Sequence, residues 1–123
     1  MSDPTHDYTL LVLDTISDLA GSPDMLASML GTIELTMAED LAQLRQFVDA
    51  KQVDGLSGKL HALKGYIPMM CQPQLSEHLI AVEDLARGPQ HSALWAPEQL
   101  GALLQKLHTL HQELQRAAAA STT

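Results

Sequence analysis

The chain is poor in aromatic residues and cysteine, and both scarcities narrow its possible folds. Phe, Trp and Tyr make up 3% of its 123 residues, although 46% of the residues are hydrophobic. The core must therefore consist mainly of Leu, Ile, Val, Met and Ala, which suits helix-on-helix packing better than a sheet. Cys71 is the single cysteine. No internal disulfide can form, so we expect a reducing compartment.

Positive charge is also scarce. Seven Lys and Arg stand against fifteen Asp and Glu, and the net charge is −8. This balance argues against nucleic acid and anionic membrane surfaces as partners. The first ten residues, MSDPTHDYTL, lack the basic start and apolar run of a secretion signal. No segment approaches the ~20 apolar residues needed to cross a bilayer. We therefore expect a cytoplasmic protein.

Apolar residues recur at steps of three and four along most of the chain, which is typical of amphipathic helices. The steps are regular from Leu26 to Val48, and Ser22 and Pro23 just before them form a strong helix start. The predicted helices cover 8–20 and 24–50 and begin again near Asp54, Pro73 and Pro97.

Short connections between these helices predict an all-α fold, an antiparallel up-and-down four-helix bundle. The bundle should span about 22–116, with the short first helix as an additional cap and a flexible tail over 117–123. Leu94 and Trp95, in the loop before the last helix, should pack against the bundle end. A chain of this length forms one domain, 1–123.

The stretch KLHALKGYIPMM, residues 59–70, departs from the simple pattern. Relative to the apolar stripe of its helix, His61 points roughly 140° away, Gly65 about 180° and Lys64 near 80°. His61 should therefore face solvent. A glycine inside an exposed helix costs roughly 1 kcal/mol relative to alanine, and close approach of another molecule to the His61 ring would explain its presence. On geometry alone, the pattern is explained equally well by an ordinary exposed histidine beside a glycine that has no functional role.

Basic residues concentrate around this stretch. Residues 45–64 contain four of the seven Lys and Arg, with two Asp, and carry a local charge of about +2 in an acidic chain. The four are Arg45, Lys51, Lys59 and Lys64.

The letters H-A-L-K-G at 61–65 resemble the H-x-L-K-G signature of histidine-containing phosphotransfer (HPt) domains, the intermediates of bacterial multistep phosphorelays. The similarity continues downstream. Leu75 stands where the family has a leucine, and Val82 and Glu83 stand where it has a Leu-Glu pair. The resemblance covers about 22–116.

The resemblance implies a role for each residue of the signature. His61 would carry the phosphoryl group, Lys64 would assist it electrostatically, and Gly65 would leave clearance for the partner. A neutral imidazole has a nucleophilic nitrogen, so His61 would accept a phosphoryl group from a receiver-domain aspartate and pass it to another receiver. The implied partners are response-regulator receiver domains and a hybrid sensor histidine kinase.

The chain departs from the family just after the glycine. The family usually has small residues there and a second glycine ten residues after the histidine, whereas this chain has Tyr66, Ile67, Pro68 and, at the second place, Cys71. Pro68 cannot donate a hydrogen bond to the carbonyl of Lys64, and its ring crowds that carbonyl. We therefore predict a kink or an early break after the glycine.

We expect a receiver to contact the surface around Lys59, Tyr66, Pro68 and Met69, where the methionine suits an adaptable interface. In the family, Mg²⁺ and the acidic cluster belong to the receiver. The chain has no Gly-rich ATP loop or nucleotide motif. We therefore expect a monomeric carrier that has no cofactor, no metal and no kinase activity of its own.

Two other functions stay open. One is a phosphorylation-incompetent adaptor that binds receivers or a histidine kinase. The other is a metal-dependent enzyme that uses His108 and His111, although two histidines without a further ligand are a weak signal.

Glu83 and Asp84 diverge by about 100° on a helix and should not act as a pair. Cys71 is expected to be a small buried residue rather than a reactive thiol.

Overall fold

A computed structural model of the protein describes residues 8–121. Over this range the chain is mainly helical and has no β-strand. The five α-helices are α1 (Asp14–Ala20), α2 (Pro23–Asp49), α3 (Val53–Lys64), α4 (Pro73–Arg87) and α5 (Ala102–Ser121). The connections contain two 3₁₀ turns, Ile67–Met70 and His91–Trp95, and a π-helical turn, Pro97–Gly101.

The four longer helices form the predicted bundle. α2 contacts α3 and α5, and α4 contacts the same two helices from the other side. Their inward faces are aliphatic, as the shortage of aromatic residues requires, and the prediction of an all-α bundle is confirmed. The fully buried residues of these helices include Leu30, Met37, Leu44, Leu56, Leu60, Leu63, Leu75, Leu79, Val82, Leu103, Leu107, Leu110 and Leu114.

Helix α2 begins where the sequence predicts. The Ser22 side chain accepts a hydrogen bond of 3.2 Å from the backbone N–H of Met25, which stabilises a helix by about 1 kcal/mol. Pro23 occupies the first helical position and Asp24 lies in the first turn, near the positive end of the helix dipole.

The predicted helix over 8–20 is wrong in its first half, because α1 begins only at Asp14. The preceding residues pair with the end of the first 3₁₀ turn and with the chain that follows it. The N–H of Val12 donates to the carbonyl of Met70 at 2.9 Å, and the N–H of Gln72 donates to the carbonyl of Leu10 at 2.9 Å. These bonds satisfy backbone groups that a helix would otherwise pair.

A buried carboxylate on α5 holds the same N-terminal segment. Glu113 accepts hydrogen bonds of 2.8–2.9 Å from the N–H groups of Thr9, Leu10 and Leu11 and from the Thr9 hydroxyl. The segment therefore lies across the bundle, fastened to α5 on one side and to the turn after α3 on the other.

The predicted break in the helix that carries His61 is confirmed. α3 ends at Lys64, and the N–H groups of Gly65 and Tyr66 bond to carbonyls three residues back, at 3.1 and 3.2 Å. The 3₁₀ turn Ile67–Met70 follows, with Pro68 in its first turn. Gly65 is therefore the C-cap of α3 and not an interior helical residue.

The C-terminal helix is longer than predicted. α5 continues to Ser121, and Ala117 is 3% exposed because it packs into the core. The tail expected over 117–123 is therefore helical through Ser121, and residues 122–123 lie outside the described range.

The loop before α5 behaves as predicted, since Leu94 is fully buried and Trp95 packs against the core. From residue 8 to residue 121, no helix combines the length and apolarity needed to span a bilayer.

Candidate functional site

His61 lies in the last turn of α3 and faces solvent. Its side chain is 65% exposed, whereas Leu60 and Leu63 on either side of it are fully buried. The aliphatic stripe of α3 thus fixes the direction of the imidazole, as the angular spacing predicts. The ring is open to an approaching molecule.

A buried carboxylate on α4 contacts the inner edge of this ring. The Nδ1 atom of His61 is 2.9 Å from Oε2 of Glu83, and the Glu83 side chain is 0% exposed. We assign the proton to Nδ1, because an ionised carboxylate only accepts hydrogen bonds. In this tautomer Nε2 keeps its lone pair. Glu83 therefore selects the nitrogen that is available for nucleophilic attack.

Contacts with Lys64 and His61 keep Glu83 ionised. Nζ of Lys64 forms an ion pair with Oε1 of Glu83, and Nη1 of Arg87 lies 3.4 Å from Oε2. Burial by itself raises the pKa of Glu83, but the bonds from Lys64 and His61 outweigh burial and hold that pKa below its ordinary value of 4.5. The site therefore combines an exposed imidazole, a buried anion and an ammonium group one turn away.

Gly65 contributes open space rather than an unusual backbone. Its φ of −70° is accessible to any residue, and its position is exposed. A Cβ added there meets the carbonyl oxygen of Ala62 at 3.1 Å and no other neighbour. The glycine leaves the surface beside His61 uncovered, and backbone conformation alone does not require it.

The residues expected to contact a partner divide into two groups. Pro68 is half-buried and Met69 is exposed, both in the turn after α3. Lys59 and Tyr66 instead contact α2, where Nζ of Lys59 lies 3.2 Å from Oδ1 of Asp40 and the Tyr66 hydroxyl donates to Oδ2 at 2.8 Å. The Lys59 ammonium is thus already paired with a carboxylate.

The features behind the metal-enzyme hypothesis lie elsewhere. Nε2 of His111 is 3.1 Å from Oε1 of Glu34, and His108 is exposed on α5. Within 8–121, no group of three or more His, Cys, Asp or Glu residues is arranged to hold a metal ion. Cys71 is buried, and burial raises the pKa of its thiol, which is typical of a structural cysteine.

Sequence reasoning predicted the exposure of His61 but did not predict its contact with Glu83. The available signal was the position of this carboxylate beside Val82 on the inner face of α4. A charged residue at a core position needs donors nearby. Residues 61 and 64 supply them from the neighbouring helix.

Comparison with known proteins identifies the family. A family model described as Hpt domain matches residues 28–120, which is more than half of the chain and includes His61 and Glu83. A search of curated proteins and a search of solved structures found no match. Hpt domains are phosphotransfer carriers rather than kinases, and they interact with receiver domains and kinases. The chain therefore belongs to the Hpt domain family, which has a histidine phosphotransfer role in phosphorelays.

Proposed function

We propose that this protein is a phosphorelay carrier that accepts a phosphoryl group on His61 from a receiver-domain aspartate and passes it to another receiver. The observation that carries the proposal is the exposed imidazole whose Nδ1 bonds to buried Glu83. The proposed partners are response-regulator receiver domains and a hybrid sensor histidine kinase, met by a monomeric carrier in the cytoplasm.

The proposed reaction uses Nε2 of His61 as the nucleophile. Its lone pair attacks the phosphorus of a phosphoaspartate, the new N–P bond forms, and the P–O bond to the aspartate breaks. The aspartate leaves as a carboxylate. The ring keeps its Nδ1 proton and becomes positively charged, and the adjacent Glu83 carboxylate, 2.9 Å from Nδ1, stabilises that charge. Attack by an aspartate of the next receiver reverses these steps.

Lys64 is the electrostatic partner in this scheme. Its side chain is 31% exposed while its ammonium contacts Glu83. The incoming phosphoryl group brings negative charge close to the same ammonium, and charge-assisted hydrogen bonds to it would favour the phosphorylated state. Gly65 serves as clearance, because the receiver aspartate has to approach the ring closely.

Transfer from a radiolabelled phosphoreceiver tests this function. The wild-type chain should take up acid-labile, alkali-stable label, and His61→Gln should take up none. His108→Gln is the matched control, since His108 is another exposed histidine and its loss should leave transfer unchanged.

Two results would contradict the proposal. Label that persists in His61→Gln would move the phosphoacceptor to another residue. A stable complex with the receiver but no label on the wild type would support the adaptor function instead.

A further inference from the structure

We propose that Asp40 is a positioning residue for receiver docking. Its carboxylate holds the Tyr66 ring against α2 and so shapes the turn beside His61 before a partner arrives. This inference rests on the proposed function, because it concerns how a receiver reaches the His61 ring. We call Asp40, Lys59 and Tyr66 the α2 latch.

The turn after α3 has little backbone support near His61. The N–H groups of Gly65 and Tyr66 bond to carbonyls three residues back at 3.1 and 3.2 Å. The N–H of Met69 lies 3.4 Å from the carbonyl of Tyr66, at the long limit for a hydrogen bond. Further along, Ile67 and Met70 are fully buried and fix the far end. The conformation of the turn next to His61, at residues 65–66, therefore depends on side-chain contacts.

The α2 latch supplies such a contact. The Asp40 carboxylate uses one oxygen for the Tyr66 hydroxyl, at 2.8 Å, and the other for the Lys59 ammonium, at 3.2 Å. The side chains of Asp40 and Lys59 are each 17% exposed, so solvent competes weakly for these bonds. One carboxylate thus joins α2, α3 and the turn.

The phenol of Tyr66 stays protonated and able to donate. Burial raises its pKa, and the bond to the Asp40 carboxylate raises it further. The latch therefore does not open by ionisation of the phenol at neutral pH.

Tyr66 lies where its ring can affect the approach of a receiver to His61. This large side chain directly follows Gly65, where the surface is open. The ring also packs against the core, but without the bond to Asp40 it can shift toward other χ1 rotamers, and some of these would cover the space that a receiver needs. Tethering the hydroxyl to α2 keeps the ring to one side and lowers the ordering cost of docking.

Tyr66→Phe tests the latch, because it keeps the ring and removes only the bond. With a phosphorylated receiver as donor, we expect KM to rise about three- to tenfold, the loss typical of one hydrogen bond. Potassium phosphoramidate serves as a second donor that needs no docking. There, Nε2 attacks phosphorus, the P–N bond breaks and ammonia leaves, and the rate should change less than about twofold.

Three further variants separate positioning from general damage. Asp40→Ala should raise KM at least as much as Tyr66→Phe does, because it removes the contact with Lys59 as well as the bond to Tyr66. Adding Tyr66→Phe to Asp40→Ala should cause no further rise, since the bond between the two residues is already lost. Asp40→Asn keeps an acceptor oxygen for the Tyr66 hydroxyl, so its KM should stay close to that of the wild type. Glu39→Ala removes the same charge from the neighbouring exposed position on α2 and is the matched control.

An unchanged KM in Tyr66→Phe would overturn the latch, as would an equal loss with both donors. If the wild type takes phosphate from neither donor, the proposed function fails and the latch fails with it. If the wild type transfers normally and Tyr66→Phe matches it, only the latch fails.

Discussion

At the scale of single residues, the site pairs an exposed base with a buried acid. Taking a carboxylate out of water costs several kcal/mol unless donors surround it, and Glu83 has contacts from His61, Lys64 and Arg87. These contacts hold the imidazole in one tautomer. Glu83 thus orients the His61 ring and also contacts the Lys64 ammonium.

Glu83→Ala should slow the chemical phosphorylation of His61 by phosphoramidate about tenfold, because a charge-assisted hydrogen bond is lost and the ring is free to change its tautomer. Phosphorus NMR of the reaction measures the rate. Asp84→Ala is the control, since Asp84 is the adjacent carboxylate and is exposed. Equal rates in the two variants would show that Glu83 does not orient the ring.

Gly65→Ala separates stability from docking. Its φ of −70° suits alanine, so the free energy of unfolding should change by less than about 1 kcal/mol. Transfer from a receiver should nevertheless slow, because the added methyl group occupies the open surface beside His61. Urea denaturation and transfer kinetics measure the two effects. A variant that transfers at the wild-type rate would remove the clearance role of Gly65.

The sequence allowed the direction of His61 to be predicted because a regular helix fixes every angle from its buried face. The contact with Glu83 was not predictable in the same way. It depends on how α3 and α4 are placed against each other, and twenty-one residues separate the two side chains along the chain. Only the position of a carboxylate on the inner face of α4 pointed toward it.

At the scale of elements, two glycines within α3 offer a matched comparison. A Cβ added at Gly58 meets nothing within 4 Å, whereas one added at Gly55 collides with the Phe47 ring. Gly58→Ala should raise the free energy of unfolding by about 0.5–1 kcal/mol, because glycine is the poorer helix former. Gly55→Ala should lower it, because the ring must move. Urea denaturation of the two variants measures both free energies of unfolding. If both variants change this free energy in the same direction, the packing of Phe47 on α3 is contradicted.

Helix boundaries were predictable where their causes are local. Ser22 and Pro23 begin α2, Pro73 begins α4, and Pro68 accompanies the break after α3. The run LLVL at 10–13 has no such local cause, since four apolar residues fit a helix or an extended segment equally well. Bonds to Glu113 and to the chain at 70–72 determine its conformation, and these partners are remote in sequence.

At the scale of the whole molecule, Glu113 connects the N-terminal segment to α5 and should make stability depend on pH. Burial raises its pKa, but the bonds from Thr9, Leu10 and Leu11 outweigh burial and keep that pKa below 4.5. The carboxylate thus favours the folded state. Its contribution is complete above pH 4.5 and is lost as the pH falls through the lower, folded pKa.

Glu113→Gln should therefore lower the free energy of unfolding at neutral pH by about 2–3 kcal/mol, because buried N–H groups lose their charged acceptor. The substitution should also make the free energy of unfolding less dependent on pH below pH 4.5. Urea unfolding of both proteins over that pH range measures the difference. Parallel pH profiles would mean that Glu113 does not link the segment to α5.

The overall architecture followed from composition and periodicity. A chain with few aromatics and regular steps of three and four buries aliphatic stripes, and helices with short connections bury them in a bundle. The path of the N-terminal segment across that bundle depends on the buried Glu113 carboxylate and on backbone bonds to the chain at 70–72, and no periodic pattern reveals either of them.

The most direct test of the account is to locate the phosphate after transfer from a phosphorylated receiver, by phosphorus–proton NMR of the intact chain. We predict a single phosphohistidine at His61 with the phosphoryl group on Nε2 and the proton retained on Nδ1. Phosphate on another residue, or on Nδ1 of His61, would contradict the account.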